Sequence, residues 1–267
     1  MFEQPADFRA ECGALYAVLV PLKDTDFAQA GQFKGWTINE VLGHLHMWNH
    51  AADLGLNAPD EFDAMSRRLT AAMRTKKPVR ELEAEWRGGI AGHALLEAWR
   101  GLYTDMATRF ADADPKHRVK WFGPDMSVRS SITARQMETW AHGQAVYDLL
   151  GIHRADADRI RNIAMLAVNT FGWCFSIRGL PVPETPPHVR LTLPSGAQWK
   201  WFEASEDNLI EGSATEFCQV AAQVRNIADT GLKVAGATAQ HWMSIAQCFA
   251  GPPEPPPLPG SRFVRAV

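Results

Sequence analysis

Cysteine is scarce in this chain. Cys12, Cys174, Cys218 and Cys248 are the whole complement of 267 residues. None forms a C-x-x-C pair, which excludes a disulfide framework and a dithiol redox motif and leaves buried apolar thiols as the reading. Long apolar runs are also missing. No stretch reaches the roughly 18 residues that a membrane span needs, and the best one, 164–177, is interrupted by Asn169, Thr170 and Ser176. There is no excess of positive charge: 27 basic against 30 acidic residues give a net charge of −3, unsuited to a phosphate-neutralising or membrane-coating surface. The one basic cluster, RTKKPVR (74–80), reads as a solvated turn. G-x-G-x-x-G, P-loop and G-x-S-x-G motifs are absent. The first residues, MFEQPADFRAEC, carry acids where a secretion signal carries bases and an apolar block, so the cytoplasm is the expected compartment, with neither a nucleic acid nor a membrane as partner.

What remains is a globular composition, 46% hydrophobic and 21% charged, with ten Trp and nine His. Residues 1–155 read as nearly all helix. Apolar spacing marks helices over 8–22, 37–56 and 60–74, a long one from Pro78 to about Asp112, and a last one opened by Ser127 or Ser130 and closed at Gly151. Thr37 with Glu40 three residues later has capping-box spacing. Gly88, Gly89 and Gly92 weaken the middle of the long helix. Residues 113–126 read as a loop with a WFGP turn. Four substantial helices with modest loops point to a bundle. Residues 156–250 read as a smaller α+β domain. It has an apolar helix over 160–177, a proline-rich extended linker and a hairpin of 188–193 and 198–202 around PSG. A third strand near 208–211 and helices near 213–228 and 238–249 follow. The proline-rich tail, 251–267, can be neither helix nor central strand and reads as extended or surface-wrapping.

The chemistry is concentrated in RQMETWAHG (135–143). Glu138 and His142 are four apart, about 40° around a helix at roughly 100° per residue. Their neighbours on that face, Ala134, Ala141, Ala145 and Leu149, are small or apolar. Two ionisable groups on such a stripe are costly unless partnered, and small neighbours leave room for an ion and a ligand. A third ligand must come from another helix. On the helix 37–56 the stripe Ile38, Val41, Leu42, Leu45, Trp48 and Ala52 faces the core. His44 lies about 80° from its centre, against about 120° for His46 and 160° for His50. His44 is therefore the third candidate, with His46 and His50 a surface pair. Two imidazoles and one carboxylate suit Zn²⁺ best and also accept Ni²⁺, Fe²⁺ or Mn²⁺, and three protein ligands leave a position open. Arg135, about 60° from Glu138, is the catalytic candidate as an anchor for a substrate or cofactor carboxylate. Trp121, in the WFGP loop, is the candidate cofactor-binding residue at a pocket mouth near His142.

The stretches GWTINEVLGHL (35–45) and ARQMETWAHG (134–143) resemble the DinB-like metalloprotein superfamily, and within it the branch of the mycothiol-dependent maleylpyruvate isomerases. The resemblance maps the family's metal ligands onto His44, Glu138 and His142. LPSGAQW (193–199) and IEGSATEF (210–217) are similar to the sterol-carrier-like domain attached to such bundles. The fold implied is mainly α: a DinB-like four-helix bundle followed by a smaller α+β domain. The function implied is a zinc-type metalloenzyme, an isomerase or thiol transferase, acting on a small molecule with a low-molecular-weight thiol. The alternative is a non-catalytic metal- or lipid-binding module. Bundles of this kind often pair as homodimers, although no diagnostic stripe is present. One departure stands out: the thiol-dependent relatives carry Asp three residues after the final His, where this chain has Ala145, and Asp148 is one turn later and not equivalent.

Overall fold

The computed structural model describes residues 2–266. The chain separates into two compact units, Met1–Val146 and Tyr147–Val267.

The first unit is helical. Its elements are α1 (Gln4–Leu19), α2 (Ile38–Asn57), α3 (Pro59–Arg74), α4 (Val79–Arg87), α5 (Gly92–Asp112) and α6 (Val128–Leu149), the last continuing past the unit's end. α1 and α2 each pack on α5, and α3 and α4 lie against α2. α6 meets α1 where Cys12 Sγ lies 3.7 Å from Thr139 Oγ1. The Thr37 hydroxyl accepts the Glu40 N–H at 3.2 Å, and the Glu40 carboxylate accepts the Thr37 N–H at 2.7 Å. The box fixes where α2 begins and so which way its histidines face. Ser127 caps α6: its hydroxyl accepts the Ser130 N–H at 3.1 Å.

Three expectations need correction here. The long helix from Pro78 is two helices, because Gly88, Gly89 and Gly92 all take positive φ (+64°, +87° and +57°) and end α4 before α5 starts. The loop 113–126 contains a short antiparallel ladder, β1 (Arg118–Val119) with β2 (Met126–Ser127). Finally, α2 is buried on two sides. One side joins the bundle core through Ile38, Val41, Leu42, Leu45 and Ala52. The other joins a second apolar cluster of Met47, Ala51, Phe62, Met65, Leu69 and Leu82 under α3 and α4. That cover removes His46 and His50 from open water: both rings pack against Trp86, at 5.2 and 5.5 Å between centroids.

The second unit has a four-stranded sheet in the order β4-β3-β5-β6. β3 (His188–Thr192) and β4 (Gln198–Trp201) form the expected hairpin, turned by Gly196 at φ +88°. β5 (Leu209–Ser213) runs parallel to β3, and β6 (Lys233–Ala235) antiparallel to β5. The apolar stretch 160–177 is divided into α7 (Arg161–Asn169) and α8 (Phe171–Ser176), since the Thr170 hydroxyl bonds back to the carbonyls of Leu166 and Ala167. α9 (Ala214–Ala221) packs on β3 and β5, and α10 (Ala237–Ile245) on α8. The proline-rich tail wraps this unit: Asn226 donates to Pro257 O, Gln223 to Glu254 O, and the Arg265 N–H to Asp148 O.

Candidate metal centre

Three helices of the first unit deliver the polar cluster. α2 supplies His44, α6 supplies Glu138 and His142, and α4 supplies Glu83. Nε2 of His44 and Nε2 of His142 converge on one oxygen, Oε2 of Glu138, at 3.5 and 3.2 Å. One ligand atom from each of the three residues lies within 4.8 Å of the others, and the two imidazole centroids are 4.4 Å apart. All three side chains are mostly enclosed, at 14–18% exposure.

Glu83 lies on the far side of His44 from Glu138 and His142. Its Oε1 accepts from His44 Nδ1 at 2.7 Å and from Trp48 Nε1 at 2.8 Å. With Nδ1 engaged, Nε2 of His44 is directed at Glu138, and it has no hydrogen-bond partner although buried. His142 Nδ1 is also buried without a partner. Aromatic rings hold the second imidazole: Trp36 stacks on His142 at 5.6 Å and 8° between planes, and Phe33 meets it edge-on at 5.1 Å.

Arg135 is 5% exposed. Its guanidinium lies 5.1 Å from the Trp121 ring centroid, with Nη2 3.8 Å from Glu138 Oε1. Trp121 joins the cluster through Arg135 and through Trp48, whose ring centroid is 6.1 Å away. The structure thus brings His44, Glu138, His142 and Arg135 together, with Trp121 against Arg135.

Charge explains the titration. Burial works against ionisation of Glu138, but the hydrogen bond from His142, the nearby His44 imidazole and the charge of Arg135 hold its carboxyl well below the usual range. Burial also works against a charged His44, yet the carboxylates of Glu138 and Glu83 outweigh it and raise His44 to about 9. His142 is lowered by burial and by the charge on His44, against the pull of Glu138. Burial lowers Arg135, opposed by Glu138. Without a metal, a proton on His44 is the cation between two carboxylates. The donor set fits a divalent ion: two imidazole nitrogens and an ionised carboxylate oxygen lie within 4.8 Å of one another.

Three contributors were missed in the sequence. Glu83 sits in RELEAEWR, where most acids face water. The available signal was Leu82, which marks the buried side of α4 next to it. Trp36 and Phe33 precede the cap of α2, outside any helical periodicity that would orient their rings. Asp148, the acid one turn past Ala145, is engaged elsewhere: Arg225 holds both its oxygens at 2.8 and 2.6 Å.

Bundle and cluster together define a helical protein with a two-histidine, one-carboxylate centre, continued by an α+β unit. The chain belongs to the family described as the mycothiol maleylpyruvate isomerase N-terminal domain, whose model matches residues 8–147. It is similar to an uncharacterized protein found in two strains of Mycobacterium tuberculosis, 35% identical over 248 residues, covering 93% of this chain and 95% of the relative. Two crystal structures of mycothiol-dependent maleylpyruvate isomerase share its fold. A histidine-to-alanine mutant of that enzyme aligns with a TM-score of 0.53 at 16% identity, and the other structure with 0.52 at 15%. Each alignment covers 83% of this chain and 88% of the other. The mainly α architecture with a small α+β part agrees with the fold expected from sequence. Among the described residues no helix is long and apolar enough to cross a membrane.

Proposed function

We propose that this protein is a divalent-metal-dependent enzyme of the isomerase or thiol-transferase type, acting on a small molecule together with a low-molecular-weight thiol such as mycothiol. His44, Glu138 and His142 hold the ion, with zinc the best match and nickel, iron or manganese compatible. The observation that carries the reading is the buried Nε2 of His44, which makes no hydrogen bond and faces the same oxygen as Nε2 of His142. When bound, the ion supplies a Lewis-acidic position that lowers the pKa of a thiol or water.

The protein's own groups do the rest. Trp36 and Phe33 keep the His142 ring in one orientation and shield it from solvent. Arg135 has a buried guanidinium that meets Glu138 in a long ion pair, and its N–H donors receive a substrate carboxylate. Trp121 covers the guanidinium face and restricts where that carboxylate sits. Ala145 stands where the thiol-dependent relatives carry an acid, so the substrate need not be maleylpyruvate itself.

The test is turnover of maleylpyruvate and other unsaturated or acyl carboxylates by zinc-loaded and chelator-treated protein, with and without mycothiol. Conversion that requires both metal and thiol supports the reading. Zinc-loaded protein that neither converts any of them nor is thermally stabilised by thiols or small acids contradicts it.

A further inference from the structure

Glu83 is 4% exposed, on a helix whose other acids are exposed, and one of its oxygens takes two hydrogen bonds. An acid placed so deeply needs a reason, because burying a carboxylate is costly unless its partners compensate. Its partners both come from α2, one helical turn apart: Nδ1 of His44 and Nε1 of Trp48. The Trp48 indole can only donate, so it occupies Oε1 without competing for the imidazole proton. α4 is tied to α2 at two more places, by the ion pair of Arg80 with Glu40 and by Arg87 Nη1 donating to Asn39 O at 2.9 Å. The short helix that carries Glu83 is therefore fastened at both ends to the helix that carries His44.

We infer that Glu83 is a positioning residue of the metal centre: by accepting the Nδ1 proton of His44 it commits Nε2 to the ion and fixes the plane of the ring, while Trp48 holds the carboxylate in place. A neutral imidazole can carry its proton on either nitrogen, and only the Nδ1–H tautomer offers an Nε2 lone pair toward Glu138 and His142. Carboxylates behind ligating histidines act this way generally, and their loss costs about 10- to 100-fold in metal affinity. The inference rests on the reading that His44, Glu138 and His142 bind an ion.

The experiment combines zinc competition against a chromophoric chelator with ¹⁵N NMR of the histidine rings, on the full chain. Zinc-loaded wild type is expected to show His44 protonated at Nδ1 and ligated through Nε2. Glu83→Ala is expected to bind zinc about 10- to 100-fold more weakly. Glu83→Gln keeps an oxygen that can accept from both donors and is expected to lie between the two. Ligation of His44 through Nδ1, or Glu83→Ala and Glu83→Gln both binding zinc as tightly as wild type, overturns the inference. Should Glu83→Ala fail to fold, the wild-type NMR assignment and the Glu83→Gln affinity still decide. Wild type that binds no zinc refutes instead the functional reading beneath it.

Discussion

Nε2 of His142 lies 3.2 Å from Oε2 of Glu138, one turn earlier on the same helix. The helix alone brings the two within reach, and His44 closes the triangle from α2.

Metal and proton compete for His44. Because Glu138 and Glu83 raise His44 to about 9, the apoprotein carries a proton there at neutral pH, while Glu138 is ionised and His142 is lowered. Zinc binding at pH 7 is therefore expected to release about one proton, and zinc affinity to rise about tenfold per pH unit up to about pH 9, then level off. Titration calorimetry in buffers of different protonation enthalpy checks this. The stability of the apoprotein has the opposite sign. A raised folded-state pKa contributes stability that is complete below the ordinary histidine value near 6.5 and lost as pH rises through about 9. The melting temperature of the apoprotein is expected to carry that fall, and that of the zinc-loaded protein to lack it.

Arg135 is buried and sits over Trp121 without being a metal ligand. Arg135→Gln is expected to leave zinc affinity within a few-fold of wild type. It is expected to raise KM for a carboxylate substrate by about 10- to 100-fold, the size of a lost charged hydrogen bond of about 1.5–3 kcal/mol. Steady-state kinetics with matched carboxylate and ester or amide substrates measure it: the variant should no longer distinguish them.

Asp148 and Arg225 form a bidentate pair inside the second unit, with side chains 5% and 10% exposed. Removing one partner strands a buried charge, so Arg225→Ala is expected to cost about 3–5 kcal/mol in chemical unfolding. Metal content should not change, because this acid belongs to the structure of that unit and not to the three-residue cluster.

Local signals were the legible ones. Thr37 and Glu40 fixed the start of α2, and with it the face that holds His44; the four-residue spacing of Glu138 and His142 needed only a helix to act. Breaks inside apolar stretches were less legible. Gly88 and Gly89 look like weak points in one helix until their positive φ is seen, and Thr170 ends α7 through its own hydroxyl. Effects of packing partners were not legible at all. Periodicity gives α2 one buried face, but α3 and α4 bury a second, which covers His46 and His50 and brings Glu83 to His44 from 39 positions away. The parallel pairing of β3 with β5, and β6 beyond it, likewise depend on contacts distant in sequence.

The most direct test is metal analysis of purified wild type and His142→Ala after equilibration with zinc and removal of the free ion. The account predicts about one zinc per chain in wild type, and a His142→Ala variant that keeps its helical circular dichroism while losing the ion. Wild type that retains no divalent metal, or a variant that retains as much as wild type, would contradict it.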